Sequence, residues 1–107
     1  MDLNQRIEKL IEAGEASYGK SSAENLKIEQ RPGKRYIKLV CSHYDKRTGE
    51  RAHGSVWCFI DKESGAVYKP ASFKAPAKHI RYSLMDDDSF QEAINRADWS
   101  GGWLYIR

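Results

Sequence analysis

Two neighbouring segments with the side-chain alternation of β-strands, residues 35–44 and 54–61, constrain this fold more than any other feature. In the first, Ile37, Leu39 and Cys41 recur at every second position. Alternate residues of a strand point to opposite faces, so these three predict a buried face. In the second segment, the same rule places Val56, Cys58 and Ile60 on one face, and Trp57 and Phe59 on the other.

Two shorter segments, residues 26–30 and 66–69, complete a predicted set of four strands. A Pro-Gly turn at residues 31–34 and a short loop at residues 61–65 that ends in glycine make two of the connections, and a charged loop spans residues 45–53. Pro and Gly favour tight reversals, and strands joined by short loops usually pair antiparallel. The sequence therefore predicts an antiparallel meander.

Two helices flank the predicted strands. Residues 3–13 carry one apolar stripe, with Asp2 as the expected N-cap and Gly14 as the expected end. The stripe consists of Leu3, Ile7, Leu10 and Ile11. A second helix is predicted over residues 89–97, capped by the acidic residues 86–88, and a final strand over residues 103–106. Residues 71–85 carry no clear pattern.

The length of 107 residues fits one domain. We therefore predict a single α+β domain over residues 1–107. Its sheet has four to five mostly antiparallel strands, preceded by an N-terminal helix and followed by a short C-terminal helix. The chain opens on a charged, amphipathic segment, and it has no apolar run of the roughly 20 residues that a membrane span needs. We therefore expect a cytoplasmic protein.

No enzyme signature is found in the sequence. It contains neither a glycine-rich phosphate loop nor a G-x-S-x-G motif. No catalytic residue, metal site or cofactor is therefore predicted. Two alternatives stay open: a metal site at the acidic residues 86–88 instead of a helix cap, and a zinc site instead of buried thiols. The zinc ligands would be Cys41, His43, His53 and Cys58.

The second face of the predicted sheet combines aromatic and basic side chains. Tyr36 and Lys38 lie on one strand, and Trp57 and Phe59 on the next. Aromatic rings beside cations are typical of surfaces that bind single-stranded nucleic acid, because each base offers a π-face and each phosphate a negative charge. The alternative interpretation buries Trp57 and Phe59 in a core, under the second helix or under the partner in a homodimer.

Basic residues concentrate in two segments, although the net charge is only +3. Residues 69–82 contain Lys69, Lys74, Lys78 and Arg81, with Phe73 among them, and no acidic residue. Residues 34–51 contain six cations against two acids. The acid-free segment is the better candidate for following a phosphate backbone.

Residues 57–62 and 65–78 resemble a stretch found in small proteins encoded by tailed bacteriophages. Its pattern is F-[IV]-D-x-x-x-G-x-[VI]-x-K-x-A-S-[WF]-K-x-P-A-K, and Phe73 stands where tryptophan is common. Residues 98–105 are similar to the C-terminal ending of the same proteins. The resemblance implies a phage origin and a host-cytoplasm location, and it brings no activity with it.

Together these observations predict a phage-encoded, non-catalytic accessory protein that binds nucleic acid, single strands rather than duplex. The alternative is an interaction module that binds and modulates a host protein, using the same aromatic residues as anchors. The residues predicted to contact nucleic acid are Tyr36, Lys38, Trp57, Phe59, Lys69, Phe73, Lys74, Lys78 and Arg81.

Overall fold

The structure, a computed structural model, describes residues 1–18, 26–45, 49–52 and 54–105. An N-terminal helix precedes six strands, and a second helix and a short 3-10 helix follow them. The helices are α1 (Leu3–Ser17), α2 (Asp87–Arg96) and the 3-10 helix (Gly102–Leu104). The strands are β1 (Leu26–Pro32), β2 (Tyr36–Asp45), β3 (Glu50–Ala52), β4 (Val56–Asp61), β5 (Ala66–Tyr68) and β6 (Tyr82–Ser83).

The strands form one antiparallel sheet, which confirms the predicted fold class. Five strands lie side by side in the order β1-β2-β4-β5-β6, and β3 pairs with the far end of β2. Two of the strands were not predicted. β3 lies inside the segment interpreted as a charged loop, and β6 lies in the segment left without an assignment.

Helix α1 begins where the sequence indicates. The Asp2 carboxylate accepts a hydrogen bond from the Gln5 backbone N–H, and the Gln5 side chain accepts one from the Asp2 N–H. The predicted end at Gly14 is wrong, because the helix continues to Ser17. Gly14 is buried instead, and a Cβ there would lie 2.6 Å from the Trp57 indole. The absence of a side chain at Gly14 therefore allows α1 to pack closely against Trp57.

One face of the sheet and both helices enclose the main core. Its centre is formed by side chains of β2, β4 and β5 and by the apolar stripes of the helices. These side chains are Ile7, Leu10, Leu39, Cys41, Cys58, Ile60, Val67, Phe90 and Ala93. The face predicted from Leu39, Cys41, Cys58 and Ile60 is thus the one that packs against α1. Val56, predicted on the same face, is not part of this core.

A β-bulge changes the orientation of Trp57. Leu39 pairs with Cys58, but the next residue, Val40, pairs with Val56, so Trp57 is an extra residue in β4. A bulge places two successive residues opposite one and disturbs the alternation. Trp57 therefore packs into the helix-side core, and the prediction that it shares a face with Phe59 is wrong.

Gly54 lies immediately before the bulge, where the backbone of β2 leaves no room for a side chain. A Cβ at Gly54 would lie 1.1 Å from the Cys41 carbonyl oxygen. The Cys41 N–H donates to the Ser55 carbonyl at 3.0 Å, which also holds this segment close to the backbone of β2. The glycine and the bulge together set how β4 enters the sheet.

The C-terminal part agrees with the prediction only as far as α2. Asp86 caps α2 by accepting the N–H groups of Asp88 and Ser89, as the acidic run predicts. The predicted final strand is wrong over residues 103–105, where a 3-10 helix follows Gly101, whose φ is +84°, and buries Trp103. Ile106, the last residue of that prediction, lies outside the described residues. The Trp103 ring packs on Trp57 at 4.9 Å between centroids, an interior contact that a strand pattern does not reveal.

Among the helices of the described residues, none combines the length and the apolar character that a membrane span requires.

Candidate nucleic-acid interface

The acid-free segment folds into a closed loop, residues 69–77, whose ends are joined by backbone hydrogen bonds. The Ala77 N–H donates to the Lys69 carbonyl at 2.7 Å, and the Ala71 N–H donates to the Ala75 carbonyl at 3.0 Å. Ser72 Oγ accepts the N–H groups of Lys74 and Ala75 inside the loop. These hydrogen bonds close the loop and order its tip, and we call residues 69–77 the basic loop.

Phe73 stands at the tip of the basic loop and is 52% exposed. The Nζ atom of Lys38 lies 3.9 Å from the centroid of its ring. This cation–π contact links the loop to strand β2, which carries Lys38. Two of the predicted residues, far apart in sequence, are thus neighbours on the surface.

Lys69 makes a second pair of the same kind. Its Nζ atom lies 4.7 Å from the centroid of the Tyr105 ring, and Tyr105 is 70% exposed. Sequence reasoning missed Tyr105 because it placed this residue in a final strand. An aromatic residue in a C-terminal segment gives no signal of its own, so only the fold reveals the pair.

The remaining cations differ in accessibility. Lys74 and Lys78 are exposed, in the basic loop and just after it. Arg81 is half-buried with its Nε shielded from solvent, and its backbone N–H donates to the Val67 carbonyl at 2.7 Å. The lysines are therefore better placed than Arg81 to meet a phosphate backbone.

The structure does not support the predicted stacking roles of Trp57 and Phe59. Each is only 3% exposed, so neither ring can receive a base. Trp57 donates its indole N–H to the Asp98 carbonyl at 2.8 Å. Phe59 lies edge-on to Tyr36, with 6.1 Å between centroids. These two aromatic residues stabilise the fold, and Phe73 and Tyr105 provide the exposed rings.

Tyr36 occupies an intermediate position. It is half-buried in an aromatic cluster with Phe59 and with Tyr68, whose ring centroid lies 5.8 Å away. Tyr36 therefore packs within this cluster more than it offers a free ring.

The second basic segment, residues 34–51, contributes less. Arg35 is paired with Asp61 at 3.4 Å, at the turn that precedes β2. Lys46 and Arg47 lie outside the described residues. The described cations of the proposed interface are therefore those on β2 and on residues 69–81.

The two cysteines are buried thiols. Burial raises the pKa of Cys41 to about 11 and the pKa of Cys58 well above its ordinary value. The side chains of the other two predicted zinc ligands, His43 and His53, lie outside the described part. No group of three or more metal-ligating side chains is found within the described ranges.

A comparison with models of protein families finds a match. The sequence model of a family of unknown function, DUF7717, matches residues 1–106. No curated protein and no solved structure matches the chain.

Proposed function

The chain belongs to DUF7717, a family of unknown function, and we propose that it binds single-stranded nucleic acid without catalysis. The proposed interface consists of the basic loop, Lys38 on β2 and the cations that follow the loop. The resemblance to phage proteins supports an accessory role in the cytoplasm of an infected host.

One observation carries this proposal: the half-exposed ring of Phe73 lies beside the Lys38 ammonium, on an acid-free loop. An exposed ring beside an ammonium group, at the tip of a hydrogen-bonded loop, is the combination that a base-stacking surface presents. Lysines attract phosphates, and a ring can stack on any base. Surfaces that bind unpaired strands commonly combine these two features.

A single strand fits this surface better than a duplex does. Base faces are accessible to an aromatic side chain only where the bases are unstacked. No regular helix on the basic side could enter a major groove, because the described interface is a loop and strands. Contacts to phosphate and to base faces carry little sequence information, so we expect weak sequence preference.

The test compares two charge-matched triple variants in anisotropy titrations with labelled oligodeoxythymidine. Lys69→Ala, Lys74→Ala and Lys78→Ala together should weaken binding and flatten its salt dependence. The control is Lys9→Ala, Lys27→Ala and Lys62→Ala, which removes the same charge from exposed positions on α1, β1 and the β4–β5 loop. Equal losses of affinity in both variants would show that only net charge matters, and would refute the proposed interface.

A second candidate, an interaction module for a host protein, is favoured by a groove between the two helices. The groove has a volume of about 410 Å³ and is lined by Met1, Ala13, Phe90 and Ile94, with Lys9 and Glu12 beside them. An apolar groove with a charged rim is typical of protein contacts. If this is the function, nuclease-treated wild-type protein should recover one stoichiometric partner, and Ile94→Glu should lose it while the basic-loop variant retains it.

A further inference from the structure

Two cavities lie on either side of Pro70, at the base of the basic loop. The larger, about 300 Å³, is lined by Val56, Pro70 and Phe73, together with Ser55, Ala71 and Ser72. The smaller, about 150 Å³, is also lined by Val56 and Pro70 and extends to Lys69, Gly101 and Tyr105. Because Val56 and Pro70 border both cavities, the two are immediate neighbours.

Each cavity carries the same pair of groups at its edge. Phe73 lines the larger cavity and has the Lys38 ammonium at 3.9 Å from its ring centroid. Tyr105 lines the smaller cavity and has the Lys69 ammonium at 4.7 Å. A nucleotide also combines two groups, a flat base and an anionic phosphate, and each ring–ammonium pair complements both.

We propose that the two cavities are adjacent subsites that each accept one unpaired base, so that the chain recognises two consecutive nucleotides. This inference rests on the proposed function and specifies its ligand. One base contacts Phe73 and the next contacts Tyr105, with Pro70 between them. Lys38 and Lys69 then lie beside the phosphates of the same two nucleotides.

The rigidity of the surroundings supports a preformed site. The basic loop is closed by the Ala77–Lys69 and Ala71–Ala75 backbone hydrogen bonds. On the other side, Trp57 anchors the C-terminal segment through its bond to the Asp98 carbonyl. A site whose walls are already ordered loses less conformational entropy when a ligand binds.

The experiment uses short deoxyribose-phosphate strands of equal length in which most sugars carry no base. One strand is fully abasic, and the others carry one thymine, two consecutive thymines, or two thymines at opposite ends. All have the same charge, so differences in affinity report on bases alone. The first thymine should strengthen binding roughly five- to hundredfold, and a consecutive second one should add a similar step. A distant second thymine should add only a statistical factor of about two.

Variants assign the steps to the subsites. Phe73→Ala and Tyr105→Ala should each remove one of the two steps, and the double variant should bind every strand as the wild type binds the abasic one. Ile80→Ala is the matched control, because Ile80 is an apolar residue near the loop that is 58% exposed. This control should retain both steps.

The possible failures are distinguishable. If the wild type binds the abasic strand as tightly as the strand with two thymines, and binding still falls with salt, the subsites are wrong and the proposed function stands. If two distant thymines bind as well as two consecutive ones, the subsites are not adjacent. If no strand binds at low salt, both proposals fall.

Discussion

The Lys38 ammonium lies 3.9 Å from the centroid of the Phe73 ring, and this contact joins the sheet to the tip of the basic loop. An exposed cation–π pair contributes only about 0.5–1 kcal/mol to stability. The contact therefore positions a charge beside a ring more than it holds the fold together. Its importance should be visible in binding.

Lys38→Met tests that role, because methionine keeps an apolar stem and removes the charge. We expect the salt slope of binding to oligodeoxythymidine to fall by about 0.7, the value of one phosphate contact on a single strand. The melting temperature should change little. Lys27→Met, at an exposed position on β1, is the control and should leave the slope unchanged. If Lys27→Met lowered the salt slope as much as Lys38→Met or more, the placement of Lys38 beside a phosphate would be contradicted.

Gly14→Ala should destabilise the protein even though alanine is the better helix former. The propensity gain is about 1 kcal/mol. The new Cβ would lie 2.6 Å from the Trp57 indole and 2.8 Å from Ile28 Cδ1, and overpacking of a core costs about 1–3 kcal/mol. Denaturant unfolding should therefore show a net loss of stability.

Trp57→Phe provides the corresponding control, because the smaller ring leaves room for the added methyl group. The cost of Gly14→Ala should be lower in the Trp57→Phe background, a coupling that a double-mutant cycle measures. Additive losses would mean that the two residues do not clash, and would contradict the contact.

Asp61 should make stability depend on pH in the acid range. The backbone N–H groups of Ser64 and Glu63 donate to its carboxylate, and with Arg35 they hold its pKa below the ordinary 3.8. A lowered pKa means that the folded state favours the charged form. The stabilisation is present above pH 3.8 and is lost as the pH falls through the folded pKa.

Asp61→Asn removes this titration while retaining an oxygen acceptor. Wild-type protein should be more stable than the variant near neutral pH, and the difference should shrink as the pH falls below about 4. Urea unfolding across that range gives the comparison. A difference that stays constant down to about pH 2 would show that the carboxylate contributes no charge-dependent stability.

The thiols should be unreactive in the folded protein. With a pKa of about 11, Cys41 is thiolate in only about one molecule in a thousand at pH 8, and the thiolate is the reactive form. Modification by a disulfide reagent should therefore be slow in buffer and complete within the mixing time in guanidinium. Fast labelling of the native protein would contradict the burial of Cys41 and Cys58.

The sequence predicts those parts of the fold that depend on local patterns. The α1 stripe, the Asp2 and Asp86 caps and the alternation in β2 all lie where periodicity and capping chemistry indicate. Each of these signals involves residues within a few positions of one another. Local patterns are therefore sufficient to predict them.

The features that were predicted wrongly depend on contacts between distant segments. The bulge at Trp57 lies near the point where the backbone of Gly54 approaches the Cys41 carbonyl, and Gly14 is buried against the side chains of Trp57 and Ile28. No sequence pattern within β4 predicts such a bulge. A single extra residue was enough to move Trp57 from the predicted binding face into the core.

In the candidate site, too, some features follow from the sequence and others depend on contacts between distant segments. Lysines are rarely buried, so the exposure of Lys74 and Lys78 follows from composition alone. The exposure of an aromatic ring depends on what covers it, which explains why Phe59 is buried and Phe73 is not. The pairing of Lys69 with Tyr105 requires the C-terminal segment to turn back, and no local signal indicates this.

The central claim is tested most directly by titrating labelled oligodeoxythymidine with the wild-type protein over a series of salt concentrations. If Lys38, Lys69, Lys74 and Lys78 all contact phosphates, the logarithm of affinity should fall against the logarithm of salt with a slope of about −3. Unlabelled single strands should compete better than duplex. No binding at low salt, or affinity that salt does not change, would contradict the account.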